Sequence, residues 1–109
     1  MVKMEAQRGL VSIHDEMLEA VKKIYRFARI LRVLEKRPLY TRELLNIMSS
    51  WGETFELLKE MNELELIERY RSRCGESINR ICVYNRITSK GKEFLSLIDR
   101  LLEIIHKDS

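Results

Sequence analysis

The sequence predicts a mainly α-helical domain carrying one small β-hairpin. Across residues 57–95 the apolar positions recur first at a spacing of about 3.6, then about 2, then about 3.6 again, which is the order helix, hairpin, helix. Only one proline and four glycines punctuate the 109 residues, so long uninterrupted helices are allowed. A chain with 45% hydrophobic and 34% charged residues can bury a core, and at this length it holds one domain. A helical domain of this size often shares its core with a second copy.

The elements follow in order. Residues 1–11 read as a flexible N-terminal tail, and residues 12–109 as the folded domain. Ser12 with Asp15 three residues on suggests a helix cap. From about residue 13 to about 36, Met17, Ala20, Ile24, Phe27, Ala28, Leu31 and Leu34 line one face, while Lys22, Arg26, Arg29, Arg32 and Lys36 line another. Pro38 ends this first helix. Thr41 is placed as the cap of a second helix running to about Met48, with Tyr40 packing on Leu45. Ser50 caps a third, with Glu53 at the reciprocal position of a capping box, so residues of about 41–65 form a helix-turn-helix. Leu57, Leu58, Met61 and Leu64 are its buried stripe, and Trp51 is expected in the core beside them.

A hairpin follows over about residues 67–87. Alternation places Ile67, Arg69, Arg71 and Arg73 on one side and Glu68, Tyr70 and Ser72 on the other. The loop falls at 75–79, and Ile81, Val83 and Ile87 of the return strand share a face that can cover the helices. Thr88 caps a last helix over about 89–106. There Phe94, Leu97, Ile98, Leu101, Leu102, Ile104 and Ile105 spread over about 180°, where one buried stripe needs only about 100°. The excess points to a homodimer built on these residues.

Charge and composition narrow the function. The net charge is +3, with the positive charge gathered on the first helix and the hairpin and a net acidic stretch between them. No apolar run reaches the length of about 18 residues that spans a membrane, and MVKMEAQRGL has no signal-peptide core, so a cytoplasmic protein is expected. There is no glycine-rich phosphate loop and no recognisable Ser/His/Asp set, so neither an enzyme nor a cofactor is expected, and the sequence identifies no small-molecule ligand and leaves any effector open. Cys74 and Cys82 bracket the hairpin loop and could face one another as a disulfide or stay reduced. Two cysteines cannot fill a tetrahedral metal site, and His14 and His106 lie near the chain ends, so no metal is expected.

A helix running into an arginine-bearing hairpin is the plan of a winged helix-turn-helix that binds duplex DNA, here with long N- and C-terminal helices. The run LLKEMNELELIER, the hairpin and ITSKGKEFL together resemble the archaeal-type winged-helix families, among them MarR and PadR regulators, and in layout the small dimeric chromatin proteins of the Sulfolobus group and their viral relatives. That resemblance, covering about residues 38–105, implies a dimeric DNA-binding protein, a transcriptional regulator or small chromatin-type factor. From the residues themselves, Arg69, Arg71, Arg73, Arg80 and Arg86 around the wing are candidate phosphate contacts. Ser49, Ser50, Gly52 and Thr54 at the start of the third helix, with Lys59, complete the candidate DNA surface. Two departures stand out: Glu65 occupies the helix end where relatives carry glycine, and Glu53, Glu56, Glu60 and Glu63 make the third helix acidic, which opposes its approach to phosphate. The alternative is a protein-interaction module using that acidic helix on the same scaffold.

Overall fold

A computed structural model describes residues 2–75 and 79–106, with side chains from residue 13 onward. The chain runs α1 (Val2–Leu34), β1 (Leu39–Tyr40), α2 (Thr41–Ile47), α3 (Trp51–Glu63), β2 (Ile67–Arg73), β3 (Ile81–Ile87) and α4 (Ser89–His106). This is the mainly α fold with a small hairpin that the periodicity indicates. The sheet is antiparallel in the order β1-β3-β2, with Ile67 opposite Ile87 and Arg73 opposite Ile81. The two-residue β1 has no counterpart in the sequence reading, because a strand that short carries no period; it exists through its pairing of Leu39 with Asn85.

Phe27, Ile30, Leu31 and Leu34 of α1 meet Leu44 of α2, Leu57, Leu58 and Met61 of α3, Ile67 and Ile87 of the sheet, and Leu95 of α4 in one core. Only the second half of α1 contributes. The turns ahead of Phe27 overhang the core, leaving Met17 and Ile24 exposed although both belong to the apolar stripe. The helix also starts at Val2, ahead of the Ser12 cap, so the expected tail at residues 2–11 is helical: Ser12 interrupts no hydrogen-bonding requirement, and good helix formers precede it. At the other end it stops at Leu34 rather than Lys36, since Arg37 before Pro38 is disfavoured in the helical region and the chain must unwind ahead of it.

One cap is built differently from the expectation. Tyr40, not Thr41, is the N-cap of α2, its backbone N–H donating to Glu43 Oε1 at 3.2 Å, and its ring packs edge-on against Tyr84 at 5.6 Å. Thr41 is drawn to the sheet, where its hydroxyl donates to the Val83 carbonyl. Ser50 caps α3 as expected, accepting from the Glu53 N–H at 3.4 Å.

The turn from α3 to β2 holds the fold together. Glu65 adopts φ 63°, the left-handed conformation usually left to glycine, and the Leu66 N–H closes back on the Met61 carbonyl at 2.9 Å. The start of α4 docks on this turn. Thr88 donates its N–H to the Leu66 carbonyl (3.1 Å) and its hydroxyl to the Glu65 carbonyl (2.6 Å), while also capping α4 by accepting from the Gly91 N–H (3.0 Å). A Cβ on Gly91 would lie 2.2 Å from the Leu66 oxygen, so only glycine permits the contact.

At the hairpin tip Gly75 turns with φ 71°, and Cys74 and Cys82 form a disulfide, their Cα atoms 5.8 Å apart. Of the expected loop, residues 76–78 lie outside the described residues. Ile81 departs from its expected covering role: at 64% exposure it extends past the helices, whereas Ile87 at the strand's other end is buried and Val83 is half-buried.

Two substitutions should have opposite signs in urea unfolding. Gly91→Ala should cost about 3 kcal/mol by forcing backbone apart, and Glu65→Gly should gain about 1 kcal/mol by relieving the left-handed residue. A thiol titration of denatured, unreduced protein should find no free thiol, and reduction should lower stability by about 2 to 3 kcal/mol through the reopened loop.

Candidate nucleic-acid interface

The hairpin divides its arginines by distance from the core. Near the helices, Arg69 lies half-buried: its Nε donates to Asn85 Oδ1 at 3.0 Å and its Nη2 to the Thr41 hydroxyl at 3.1 Å. The fully buried Asn85 in turn donates to the Leu39 carbonyl at 3.1 Å, so this network ties β1 and the start of α2 to the wing. Burial pushes the Arg69 guanidinium pKa down from its ordinary value. On the other face, Arg86 donates to Glu68 Oε2 at 2.6 Å and lies 5.0 Å above the Tyr70 ring, which stacks on Tyr84 at 5.7 Å. The hydrogen bond to Glu68 raises the Arg86 pKa. Of these two candidates for the DNA surface, Arg69 is held within the domain, whereas Arg86 stays exposed beside Glu68. Arg71, Arg73 and Arg80 are different. They are exposed toward the tip, and among the described residues they have no ion-pair partner.

Four residues of α3, Thr54, Leu57, Leu58 and Met61, face the core. Thr54 is thereby removed from the candidate surface: it is 2% exposed and its hydroxyl donates to the Ser50 carbonyl at 2.6 Å. Ser49, Gly52 and Lys59 are exposed, and so is Ser50, which also serves as the cap. At about 100° per residue, Gly52, Glu56, Lys59 and Glu63 lie opposite the buried stripe. Glu53 and Glu60 fall on one flank, Trp51, Phe55 and Asn62 on the other.

The flank of Glu53 and Glu60 meets α1. Arg26 pairs with Glu53 at 2.9 Å and Lys23 with Glu60 at 2.8 Å. Arg26 and Arg29 also line a small cleft with Ser49, Ser50 and Glu53 where α3 begins. The basic stripe of α1 stays at the surface but is partly answered within the chain: Lys22 pairs with Glu19, Arg32 with Glu35 and Asp99, and Arg29 rests over the Tyr25 ring. Half of the acidity of α3 is answered within the chain, which lowers the electrostatic objection to its approach to a polyanion.

The other flank corrects the reading of Trp51. It is 52% exposed, and Phe55, one turn on, is 47% exposed. A core role for the indole fails because Thr54, Leu57, Leu58 and Met61 already fill the inward arc of the helix. The spacing places Trp51 outside that arc, and the size of a ring alone does not bury it.

Among the described residues no three His, Cys, Asp or Glu side chains gather as a metal site, and no helix is long and apolar enough to cross a membrane.

No protein-family model and no curated protein sequence matches the chain. Solved structures do. A PadR family transcription regulator from Clostridium difficile is similar over 76% of this chain and 92% of its own, with a TM-score of 0.67 and 27% identity. A Thermoplasma acidophilum protein described as a transcriptional regulator covers 84% and 89%, with a TM-score of 0.61 and 26% identity. A PadR family regulator from Eggerthella lenta, at 16% identity and a TM-score of 0.58 over 87% and 89%, shares the fold. The chain therefore has a winged-helix fold, and the solved proteins named above are transcription regulators, two of them of the PadR family.

Proposed function

We propose that the protein is a homodimeric winged-helix regulator of transcription that binds duplex DNA, with its wing arginines supplying most of the affinity. The observation that carries this reading is the exposure of Arg71, Arg73 and Arg80 at the far end of a hairpin stiffened by the Cys74–Cys82 bridge. A guanidinium offers a planar fork of donors that suits phosphate oxygens, and an arginine left without an ion pair at a surface gains most from a polyanion. Similarity to two transcription regulators at 26% and 27% identity supports the same reading. The acidic third helix as a docking site for a basic partner is less favoured, because Glu53 and Glu60 are already paired with α1.

The dimer is supported by apolar surface. Leu97, Leu101, Leu102, Ile104 and Ile105 of α4 are exposed, as are Ile13, Met17, Leu18 and Val21 on the overhang of α1. Exposed aliphatic side chains in such number along two helices mark contact surfaces. A two-fold pairing of α4, with α1 alongside, covers both stripes at once and sets two wings at a fixed spacing. Phe94 belongs to this set only in part, since its ring already packs on Phe27 of its own chain at 6.3 Å.

Gel-shift titrations of a random duplex at two salt concentrations test the first half. Binding should weaken steeply with salt, and Arg73→Ala with Arg80→Ala should lower the slope by about one unit for each phosphate no longer neutralised, equally on all sequences. A double variant that binds as well as the parent removes the wing from the mechanism. Light scattering tests the second half: twice the 13.0 kDa chain mass is expected. Leu101→Glu, which places an uncompensated carboxylate in the paired surface, should return the chain to a monomer or unfold it.

A further inference from the structure

We propose that Trp51 and Phe55 form an apolar edge of α3 that recognises thymine, packing on the 5-methyl groups that A·T pairs present in the major groove. The proposal rests on the duplex-binding reading above and assigns the base class that the site selects. Both rings are about half exposed and lie one helical turn apart, on the flank of α3 turned away from the Arg26 and Lys23 ion pairs. Neither ring is needed to fill the core, which closes without them.

The surroundings favour a nucleic acid as the occupant. Lys59 lies on the outward arc beside Phe55, and the exposed wing arginines follow α3 after a single tight turn. Gly52 sits at the outward centre of the helix's first turn, and a Cβ there would meet nothing within 4 Å. A helical glycine costs stability relative to alanine, and here no contact inside the chain requires it; leaving this surface bare lets a groove wall come close. Within the major groove the only apolar group on a base edge is the thymine methyl, so an apolar ring pair has one partner there. Glu56 and Glu63, also outward, can accept only from base donors and repel phosphate, which favours base edges over backbone on this face.

Duplex poly(dA-dT) against poly(dA-dU), which differ only in that methyl, tests the inference on the full chain. The parent should bind the thymine polymer about fourfold more tightly for each methyl buried. Trp51 is the sole tryptophan, so its emission should shift on binding. Phe55→Ala, at a half-exposed position that leaves the core intact, should abolish most of the preference while keeping the salt slope, and Phe55→Leu should restore part of it. Equal binding of both polymers with unchanged Trp51 emission overturns the inference and leaves the wing mechanism standing. Absence of binding to any duplex at low salt overturns the duplex-binding reading and this inference with it.

Discussion

Residue 91 has no side chain because there is no space for one: the helix that follows the wing approaches the turn after α3 so closely that a Cβ would fall on the Leu66 carbonyl. Everything that positions the candidate site meets at this point. The turn places Glu65 in a left-handed conformation, Leu66 closes α3, Ile67 opens β2 and pairs with Ile87, and Thr88 joins Glu65 and Leu66 to the cap of α4. Lys90 adds its ammonium to the Leu64 carbonyl at 2.8 Å. One close backbone approach therefore sets the angle between α3, the wing and α4 together, and the local strain at Glu65 is offset by the hydrogen bonds gathered around it.

From that junction outward, the wing changes character along its length. At its base the side chains serve cohesion: Ile67 and Ile87 are buried, and Arg69 is held among Asn85 and Thr41. Beyond the reach of the helices, Arg71, Arg73 and Arg80 stand in solvent on strands joined through the backbone ladder and the disulfide. The same residue type is structural or available according to how far along the hairpin it lies. A rigid hairpin also lowers the entropy lost when such arginines are immobilised on a ligand.

The shape of the chain carries a second consequence. Its radius of gyration is 18.1 Å, against about 13 Å for a compact domain of this length, and its long dimension is 67 Å. The overhang of α1 and the last turns of α4 both expose aliphatic stripes beside their polar faces. Helices of this length and amphipathicity gain little stability alone in water and obtain it from packing. These exposed stripes are the surface that the proposed dimer would cover.

Much of this was legible in the residues. The alternation of IERYRSR and the period of α4 follow from the 2.0 and 3.6 residue repeats, which local chemistry imposes on any amphipathic strand or helix. The bounds of β2 and α4 and the caps at Ser50 and Thr88 agree with that reading. Side-chain roles were another matter. Nothing in local pattern separates Arg69 from Arg71, since both alternate on one face; only the arrival of Asn85 and Thr41 from distant elements decides which is bound and which is free. Likewise Trp51 reads as core by size alone, and the acidity of α3 reads as a barrier until α1 is seen to answer Glu53 and Glu60. Periodicity is a property of neighbours in the chain and so belongs to the sequence. Burial and pairing depend on which surfaces meet, and contacts between residues tens of positions apart exist only once the tertiary fold has formed.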